Sequence, residues 1–422
     1  MKFIVIGITD HPKPFFPPEV VDAIRQGKLF SGGRRHHEIV GSLLPDDAEW
    51  IDITTPLDAV FDQYKTHLLP LPVEGGEKTH PRNRGGREGT VVVFASGDPL
   101  FYGFANTIRR KMPDAEIVLY PAFNSLQMLA HGLLMPYHDM RIVSLTGRPW
   151  PDFDRALIER TTKIGVLTDR EHSPSAIARR MLDYGYKDYT MHVGEHLGHP
   201  ERERITTLSL EEAVQHTFDY PNCLILTSSA TIAPAPPFGI PERDFALLDG
   251  RGKMITKMPV RLLTLQALDL PRRHVLWDIG FCTGSVSIEA RLQFPHLHIE
   301  AFEIRPECEA IIHENARRFG APGINVHIGD FLKTPLPSGE RLPDAVFIGG
   351  HGGKLKEIMA KVLTVLADDG VIVMNSVKAP KVLTDSHQLW DEACRELHLT
   401  QDNPTRIILN DNHPIEILRC RR

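Results

Sequence analysis

Residues 278–284, Asp-Ile-Gly-Phe-Cys-Thr-Gly, form a glycine-rich turn with the composition of a nucleotide-binding loop. A strand over Val275–Ile279 is predicted before the turn and a helix over Val286–Gln293 after it. Glycine permits both a tight turn and close approach of the backbone to a ligand. Glu303 ends the next predicted strand, where a carboxylate can accept hydrogen bonds from both hydroxyls of a ribose. The pattern indicates a pocket for an adenosine-containing ligand; the alternative is a structural turn beside a surface glutamate.

The spacing of these glycines separates two classes of cofactor. A dinucleotide-binding turn follows the pattern Gly-x-Gly-x-x-Gly, which the segment does not fit. The segment resembles instead the acidic-x-Gly-x-Gly-x-Gly turn of S-adenosylmethionine-dependent methyltransferases, with Cys282 replacing the middle glycine. A nicotinamide-dependent oxidoreductase is therefore the weakest alternative. The turn residues expected to bind the cofactor are Gly280, Phe281, Cys282, Thr283 and Gly284.

Two later segments extend the predicted pocket. Asp330 closes a further strand, where such enzymes often hold the adenine, and Phe331 beside it is expected to stack on the base. Residues 347–353, Phe-Ile-Gly-Gly-His-Gly-Gly, follow the next strand. Gly349 and Gly350 in this segment are expected to present backbone N–H groups to an anionic group. The alternative for the segment is a plain surface loop.

Composition limits the class of protein that carries these motifs. The chain has 422 residues, 42% of them apolar, and a net charge of −6, which indicates two or three soluble domains rather than a nucleic-acid-binding or membrane protein. The five cysteines are scattered and form no C-x-x-C pair, so neither a disulfide framework nor a structural zinc site is expected. The first apolar stretch is shorter than a signal peptide requires, so we expect no secretion. We expect a cytoplasmic protein.

Strands and helices alternate along the chain, which predicts an α/β protein with mostly parallel sheets. Residues 73–90 have no apolar periodicity and are predicted to form a surface loop. Four prolines lie within residues 233–241, which indicates a stiff linker. The predicted division is therefore a domain over residues 1–235, a linker over 236–251 and a second domain over 252–422.

Motifs of both halves resemble known enzyme families, and they occur in family order. The N-terminal half resembles the corrin-ring (tetrapyrrole) methylases, and the C-terminal half resembles a second methyltransferase that some organisms fuse to them. The matching N-terminal segments are residues 31–36 (Ser-Gly-Gly-Arg-Arg-His), 95–103 (Ala-Ser-Gly-Asp-Pro-Leu-Phe-Tyr-Gly), 121–127 (Pro-Ala-Phe-Asn-Ser-Leu-Gln), 143–148 (Val-Ser-Leu-Thr-Gly-Arg) and 195–198 (Glu-His-Leu-Gly). The C-terminal ones are residues 255–261 (Ile-Thr-Lys-Met-Pro-Val-Arg), 277–280 (Trp-Asp-Ile-Gly) and 347–350 (Phe-Ile-Gly-Gly).

This resemblance implies a two-lobed methylase domain followed by a doubly wound, Rossmann-like methyltransferase domain. The fused family acts in cobalamin biosynthesis on a tetrapyrrole polycarboxylate. The first half would methylate carbon 5, and the second would methylate carbon 15 and decarboxylate the ring C acetate. Each half would bind one S-adenosylmethionine. The first site would be lined by Ser96, Gly97, Asp98 and Ser125, and the second by Thr256, Glu303 and Phe331 together with the turn.

No catalytic residue is assigned, because alignment of two reactants is enough for methyl transfer to an electron-rich carbon. A substrate with many carboxylates does need cationic partners. Five cations in or beside the motifs are candidates, although each is also a candidate for a structural role: Arg34, Arg35, Arg148, Lys257 and Arg261.

Alternatives remain at the N-terminal half. The family's first strand usually ends in a glycine-rich turn, whereas here residues 7–11 are Gly-Ile-Thr-Asp-His. One alternative is that only the C-terminal half is catalytic and the N-terminal half holds substrate or mediates oligomerisation. Another is a methyltransferase fusion that acts on a different polyanion. We expect a homo-oligomer. His192, His196 and His199 lie on a strand that runs into a turn, so no metal site is expected.

Overall fold

A computed structural model describes residues 1–68, 89–228, 237–252, 254–336, 342–377, 386–409 and 414–422. Nearly all of the predicted surface loop over residues 73–90 lies outside these ranges, as does the first half of the proline-rich segment 233–241. The described chain forms two compact units. The first contains Met1–Gly147, Lys163–Ala176 and Thr190–Thr227, and the second contains Arg148–Thr162, Ile177–Tyr189 and Ser228–Arg422.

The first sheet has five parallel strands in the order β3-β2-β4-β1-β5. Its apolar strands are covered on both faces, as the continuous hydrophobic runs at residues 3–6 and 91–95 predict. The strands are β1 (Lys2–Ile8), β2 (Leu29–Gly32), β3 (Glu49–Asp52), β4 (Thr90–Ser96) and β5 (Glu116–Tyr120). The helices are α1 (Pro18–Gln26), α2 (Arg34–Val40), α3 (Leu57–Leu68), α4 (Phe104–Lys111) and α5 (Ser125–Gly132).

The second sheet has five strands in the order β6-β7-β10-β8-β9 and contains both parallel and antiparallel pairs. The strands are β6 (Arg141–Ser144), β7 (Lys163–Leu167), β8 (Tyr189–Glu195), β9 (Arg204–Ser209) and β10 (Asn222–Ser228). The helices in this part of the sequence are α6 (Pro151–Ile158), α7 (Pro174–Asp183) and α8 (Leu210–Gln215). His192 lies on strand β8 and His196 and His199 follow it, which confirms that the three histidines do not share a helical face.

The third sheet belongs to the second unit and has the order β13-β12-β11-β14-β15-β18-β16, with β17 paired to β18. The first five of these strands are parallel, and β18 is antiparallel to β15. The strands are β11 (Val275–Ile279), β12 (His298–Glu303), β13 (Ile324–Ile328), β14 (Ala345–Ile348), β15 (Val371–Val377), β16 (Thr400–Gln401), β17 (Thr405–Ile407) and β18 (Ile415–Arg421). The helices are α9 (Met258–Ala267), α10 (Ser285–Gln293), α11 (Glu307–Phe319), α12 (Leu355–Leu363) and α13 (Ser386–Glu396).

The third sheet confirms the predicted doubly wound fold. Apolar side chains cover both of its faces, in two clusters that each combine strand and helix residues. The strand order turns back at β11, because β12 lies on one side of β11 and β14 on the other. Such a switch point opens a crevice at the carboxyl ends of the strands, where ligands bind. Among the described residues, no helix has the length and apolar character needed to span a membrane.

Candidate functional site

A cavity of about 800 Å³ opens at the carboxyl ends of β11, β12 and β14 in the second unit. Its walls bring together eleven residues that were singled out from the sequence: Thr256, Lys257, Gly280, Phe281, Cys282, Thr283, Glu303, Asp330, Phe331, Gly349 and Gly350. Two others, Gly284 and Arg261, are not part of the wall. Motifs that are far apart in sequence meet here because parallel strands end at the same edge of a sheet.

The glycine turn brings two loops of the cavity into contact. The φ angle of Gly280 is +80°, and a Cβ atom at this position would lie 2.6 Å from the amide nitrogen of Gly350. Gly284 begins helix α10 with φ of +73°, and a Cβ atom there would collide with Ile312. Both positions therefore require glycine, and the turn is fixed against the loop that follows β14.

Cys282 occupies the middle position of the turn without disturbing it. Its φ is +51°, and its buried side chain packs in a cluster with Cys308 and Ile312. Its backbone N–H donates to Glu303 Oε2 at 3.0 Å. Burial raises the pKa of the Cys282 thiol, so the group stays protonated and is unsuited to a nucleophilic role.

Two buried polar atoms in the wall have no hydrogen-bond partner among the described residues: Asp278 Oδ1 and Thr283 Oγ1. Asp278 is 1% exposed, and its other oxygen accepts a hydrogen bond from Ser287 Oγ at 2.6 Å. Burial raises the pKa of Asp278 to about 7. Buried polar groups are almost always satisfied, so these two atoms are available to an ordered water or a polar ligand. They match the amino-acid end of S-adenosylmethionine, which carries an ammonium and a carboxylate.

Glu303 is held at the end of β12 by the neighbouring Arg305. Arg305 Nε and Nη2 donate to the two carboxylate oxygens at 3.0 and 2.8 Å. Burial acts to raise the pKa of Glu303, but the hydrogen bonds and charge of Arg305 outweigh it, and the pKa lies below its ordinary value. Glu303 is therefore a carboxylate at neutral pH. A ribose that binds Glu303 has to displace part of this ion pair.

Phe331 forms the wall beside Asp330, and a lysine fixes it there. Its ring packs against Phe302 with centroids 5.1 Å apart and an interplanar angle of 79°. Lys361 Nζ lies 5.0 Å from the ring centroid and donates to the carbonyl oxygens of Phe331 and Thr334, both at 2.6 Å. Lys361 was not foreseen from the sequence, because a lone lysine on a helix carries no signal of such contacts.

The segment after β14 differs from the expectation in one respect. The N–H of Gly349 donates to the carbonyl oxygen of Ile279 at 2.7 Å, and the N–H of Gly350 approaches the same oxygen at 3.4 Å. These two N–H groups are therefore used to join the loops and are not presented to an anion. The polar side chains on this turn are those of His351 and Lys354, which both line the cavity.

Arg261 takes a structural position. Its side chain is fully buried and forms an ion pair with the equally buried Glu289 at 3.1 Å. It also donates to the carbonyl oxygens of Thr256 and Ile240. Helix α10 is buried over almost its whole length, so its polar side chains need partners inside the protein, and Arg261 meets this need for Glu289. Lys257, by contrast, is at the cavity and donates to the carbonyl of Gly252 at 2.9 Å.

In the first unit, Ser96 is the last residue of strand β4, and Gly97 and Asp98 follow it. The N–H of Gly97, whose φ is +60°, donates to the carbonyl of Ile8 at 2.8 Å. Asp98 Oδ1 accepts the N–H of Leu100 at 2.8 Å, so Asp98 holds the backbone of the turn. Ser125 is the first residue of helix α5, after Asn124, which caps the helix.

A group of polar side chains, which we call the Asp10 cluster, surrounds the end of β1 and consists of Asp10, Arg35, His36, Ser96 and His196. Asp10 is 8% exposed, and its Oδ1 accepts from Arg35 Nη1 at 2.7 Å. Arg35 Nη2 also donates to Ser96 Oγ at 2.8 Å, and His36 Nε2 lies 2.9 Å from the same oxygen. His196 Nδ1 lies 3.1 Å from Asp10 Oδ2. Burial lowers the pKa of His36 to about 4, so its ring is neutral at physiological pH.

In the turn at residues 7–11, Asp10 supplies the charge partner of Arg35. Its contact with His196 joins residues far apart in sequence and was not foreseen. Of the other predicted cations, Arg34 is exposed and pairs with Glu38, and Arg148 is exposed.

Known protein families match both halves of the chain. The sequence pattern of the Tetrapyrrole (Corrin/Porphyrin) Methylases matches residues 16–214, and that of the Precorrin methyltransferase domain matches residues 248–405. The precorrin-6Y C(5,15)-methyltransferase [decarboxylating] of Sinorhizobium sp is 32% identical over 388 residues, covering 91% of this chain and 87% of that protein.

Single-domain relatives match parts of the chain. The cobalt-precorrin-6B C(15)-methyltransferase (decarboxylating) of Salmonella typhi is 33% identical over 43% of this chain and 95% of its own length. The cobalt-precorrin-7 C(5)-methyltransferase of Salmonella typhimurium is 31% identical over 33% of this chain and 73% of its own length. These relatives do not favour the alternative in which the N-terminal half has no catalytic role.

The fold and the cavity thus define a fused methyltransferase of cobalamin biosynthesis, whose homologues depend on S-adenosylmethionine. The chain belongs to the family of the precorrin-6Y C5,15-methyltransferases (decarboxylating).

Proposed function

We propose that the chain binds two molecules of S-adenosylmethionine, one in each half, and methylates a precorrin at C5 and C15. The C-terminal half also removes the ring C acetate carboxylate as CO₂. The observation that supports the proposal best is the cavity at the switch point of the third sheet, where Asp278 Oδ1 and Thr283 Oγ1 are buried without a partner among the described residues.

The polar groups of the cavity match the parts of this cofactor. The Asp278 carboxylate would accept hydrogen bonds from its ammonium group, and the Thr283 hydroxyl would donate to its carboxylate. Glu303 would bind the ribose hydroxyls once Arg305 yields part of its contact, and Asp330 and Phe331 would border the adenine. The bound cofactor supplies an electrophilic methyl group. The turn residues Gly280, Phe281, Cys282 and Gly284 would position it, with Thr256 opposite.

The N-terminal site would consist of Ser96, Gly97, Asp98 and Ser125. Arg35 is fixed between Asp10 and Ser96 and keeps about a third of its side chain exposed. Such a fixed guanidinium suits a substrate carboxylate. Arg34, which is exposed on the same helix, would add a looser cationic contact for this polyanion.

The reaction mainly requires that the cofactor and the substrate be aligned. Methyl transfer is an in-line displacement by an electron-rich carbon of the tetrapyrrole, and no activated nucleophile is needed. In the decarboxylation, the electron pair of the broken C–C bond passes into the protonated macrocycle. The enzyme must therefore hold the substrate in one orientation, and Lys257 and Lys354 at the cavity supply cations for its carboxylates.

We further propose that the protein works in the cytoplasm as a homo-oligomer. All five cysteines are unpaired and buried, which is typical of a reducing compartment. Light scattering of the purified protein would test the oligomer directly: a monomer at micromolar concentration would contradict it.

Product analysis tests which half of the chain carries out each methylation. The full chain is incubated with S-adenosylmethionine and either precorrin-6Y or its cobalt form, and the methyl groups added and CO₂ released are counted by mass spectrometry. We expect two methyl groups and one CO₂ per substrate. Glu303→Ala should abolish C15 methylation and spare C5, and Ser96→Ala should weaken C5 methylation and spare C15. If the wild-type chain transfers no methyl group to either substrate, the proposal is wrong.

A further inference from the structure

The acetate that is decarboxylated differs from the other carboxylates of the substrate in what the enzyme must do with it. Its negative charge disappears as the C–C bond breaks, because the electron pair moves into the macrocycle and CO₂ leaves. A cation paired with this carboxylate would stabilise the starting state more than the transition state and so slow the step. The retained carboxylates keep their charge and benefit from cations. The cavity therefore needs a neutral hydrogen-bond donor for one carboxylate.

His351 meets this requirement. It lines the cavity on the turn after β14, with glycines on both sides. Its Nδ1 accepts a hydrogen bond from the N–H of Gly353 at 3.2 Å. A neutral imidazole that accepts at Nδ1 carries its proton on Nε2. Nε2 has no hydrogen-bond partner among the described residues and is thus left as a donor. Burial lowers the pKa of His351, which keeps the ring neutral at physiological pH.

The charged side chains and the backbone N–H groups of the cavity have other roles. Glu303 is an anion paired with Arg305. Lys354, on the same turn as His351, is a half-exposed cation 3.6 Å from Asp330 and suits a retained carboxylate. The N–H groups of Gly349 and Gly350 are already directed at Ile279. Among the side chains on this turn, His351 is therefore the neutral donor.

We propose that His351 binds the ring C acetate through Nε2–H and holds it without neutralising its charge, so that it selects the carboxylate that is lost. This inference rests on the C-terminal activity proposed above. The step balances without an added reagent: the acetate loses CO₂ and its carbon gains one proton to become a methyl group, while C15 gives up one proton when it gains its methyl group.

The test compares donors of different charge at position 351 in the full-length protein, with precorrin-6B as substrate. His351→Gln retains a neutral donor and should release CO₂ within about 3-fold of the wild-type rate. His351→Leu has no donor, and its rate should fall about 100-fold. His351→Lys adds a permanent cation, so KM should stay equal or fall while kcat for CO₂ release drops at least 10-fold. S-Adenosylhomocysteine should bind all three variants as it binds the wild type, within about 2-fold.

His313, which lies on α11 and is not part of the cavity wall, provides the matched control, and His313→Leu should leave CO₂ release unchanged. Asn375 is another neutral polar group in the wall. If Asn375→Leu loses CO₂ release while His351→Leu retains it, the inference is overturned. It is also overturned if His351→Lys decarboxylates at the wild-type rate, or if His351→Gln is as slow as His351→Leu. A wild-type chain that releases no CO₂ contradicts the proposed function itself, whatever the variants do.

Discussion

The sites of the two units satisfy their polar groups in different ways. In the Asp10 cluster, the buried carboxylate is paired with Arg35. The Ser96 hydroxyl is hydrogen-bonded to both Arg35 and His36. In the cavity of the third sheet, Asp278 Oδ1 and Thr283 Oγ1 are buried and unpartnered among the described residues. The first arrangement stabilises the protein before any ligand binds, whereas the second leaves hydrogen-bonding capacity for the ligand to use.

The two sites should therefore respond differently to substitution. A change in the Asp10 cluster alters side chains that position one another, so protein stability and C5 methylation should fall together. A change at the unpartnered atoms removes a ligand contact, so affinity should fall with little loss of stability. The glycine turn lies between these cases, because it supports both the fold and the ligand.

The largest expected effect is at the glycine turn. Gly280→Ala places a Cβ atom 2.6 Å from Gly350 N at a φ of +80°. Left-handed backbone and overpacking together should lower the free energy of unfolding by about 3 kcal/mol and abolish cofactor binding in the C-terminal half. Calorimetric unfolding and S-adenosylhomocysteine titration measure the two effects. Gly252→Ala is the control, since a Cβ there meets nothing within 4 Å; equal effects of the two substitutions would contradict the account.

The Asp10 cluster gives the next effect. Asp10→Ala leaves Arg35 without its carboxylate partner, and because Arg35 is about a third exposed we expect a loss of about 2 kcal/mol rather than the larger cost of a fully buried pair. C5 methylation should fall at least 10-fold while C15 methylation persists. Asp22→Ala, at an exposed position on α1, should change neither. An Asp10→Ala protein with normal stability and C5 activity would show that the cluster has no positioning role.

The affinity of the C-terminal cavity for the cofactor should depend on pH through Asp278. Burial raises the pKa of Asp278 to about 7, so below that pH the group is neutral and above it the group is a carboxylate. The ammonium of the cofactor favours the carboxylate, so affinity in the C-terminal half should rise by about tenfold from pH 6 to pH 8. Titration of S-adenosylhomocysteine across this range measures it. In Asp278→Asn the affinity should be lower and no longer depend on pH; an unchanged pH profile would exclude Asp278 as the partner.

Lys361 provides the smallest effect. Lys361→Met removes the donor to the carbonyls of Phe331 and Thr334 but keeps an apolar stem against the ring. We expect the C-terminal affinity for S-adenosylhomocysteine to fall about 3- to 5-fold, because the adenine wall becomes less rigid. Lys333→Met, a neighbouring lysine that is not part of the cavity wall, is the matched control. Equal affinities of Lys361→Met and wild type would remove Lys361 from the account.

Much of the C-terminal site was predictable because its residues follow a simple rule. The turn at 278–284, Glu303, Asp330 and the segment 347–353 each lie at the carboxyl end of an apolar strand, and parallel strands bring these ends to one edge. The fold class followed from the same alternation of strands and helices.

The contacts that were missed depend on tertiary packing. Asp10 and His196 are 186 residues apart in the sequence, which has no local signal for their contact. The ion pair of Arg305 with Glu303 likewise depends on where the two side chains lie in the folded protein. Arg261 was a candidate for a substrate contact or a structural role because it lies in a family motif. Its burial follows from the need of Glu289, on the buried helix α10, for a charge partner.

Calorimetric titration of S-adenosylhomocysteine shows whether each half of the chain binds its own cofactor. We expect two sites per wild-type chain and one site in Glu303→Ala, with the remaining site sensitive to Asp10→Ala. A single wild-type site that disappears in Glu303→Ala would contradict this expectation, because the N-terminal half would then bind no cofactor.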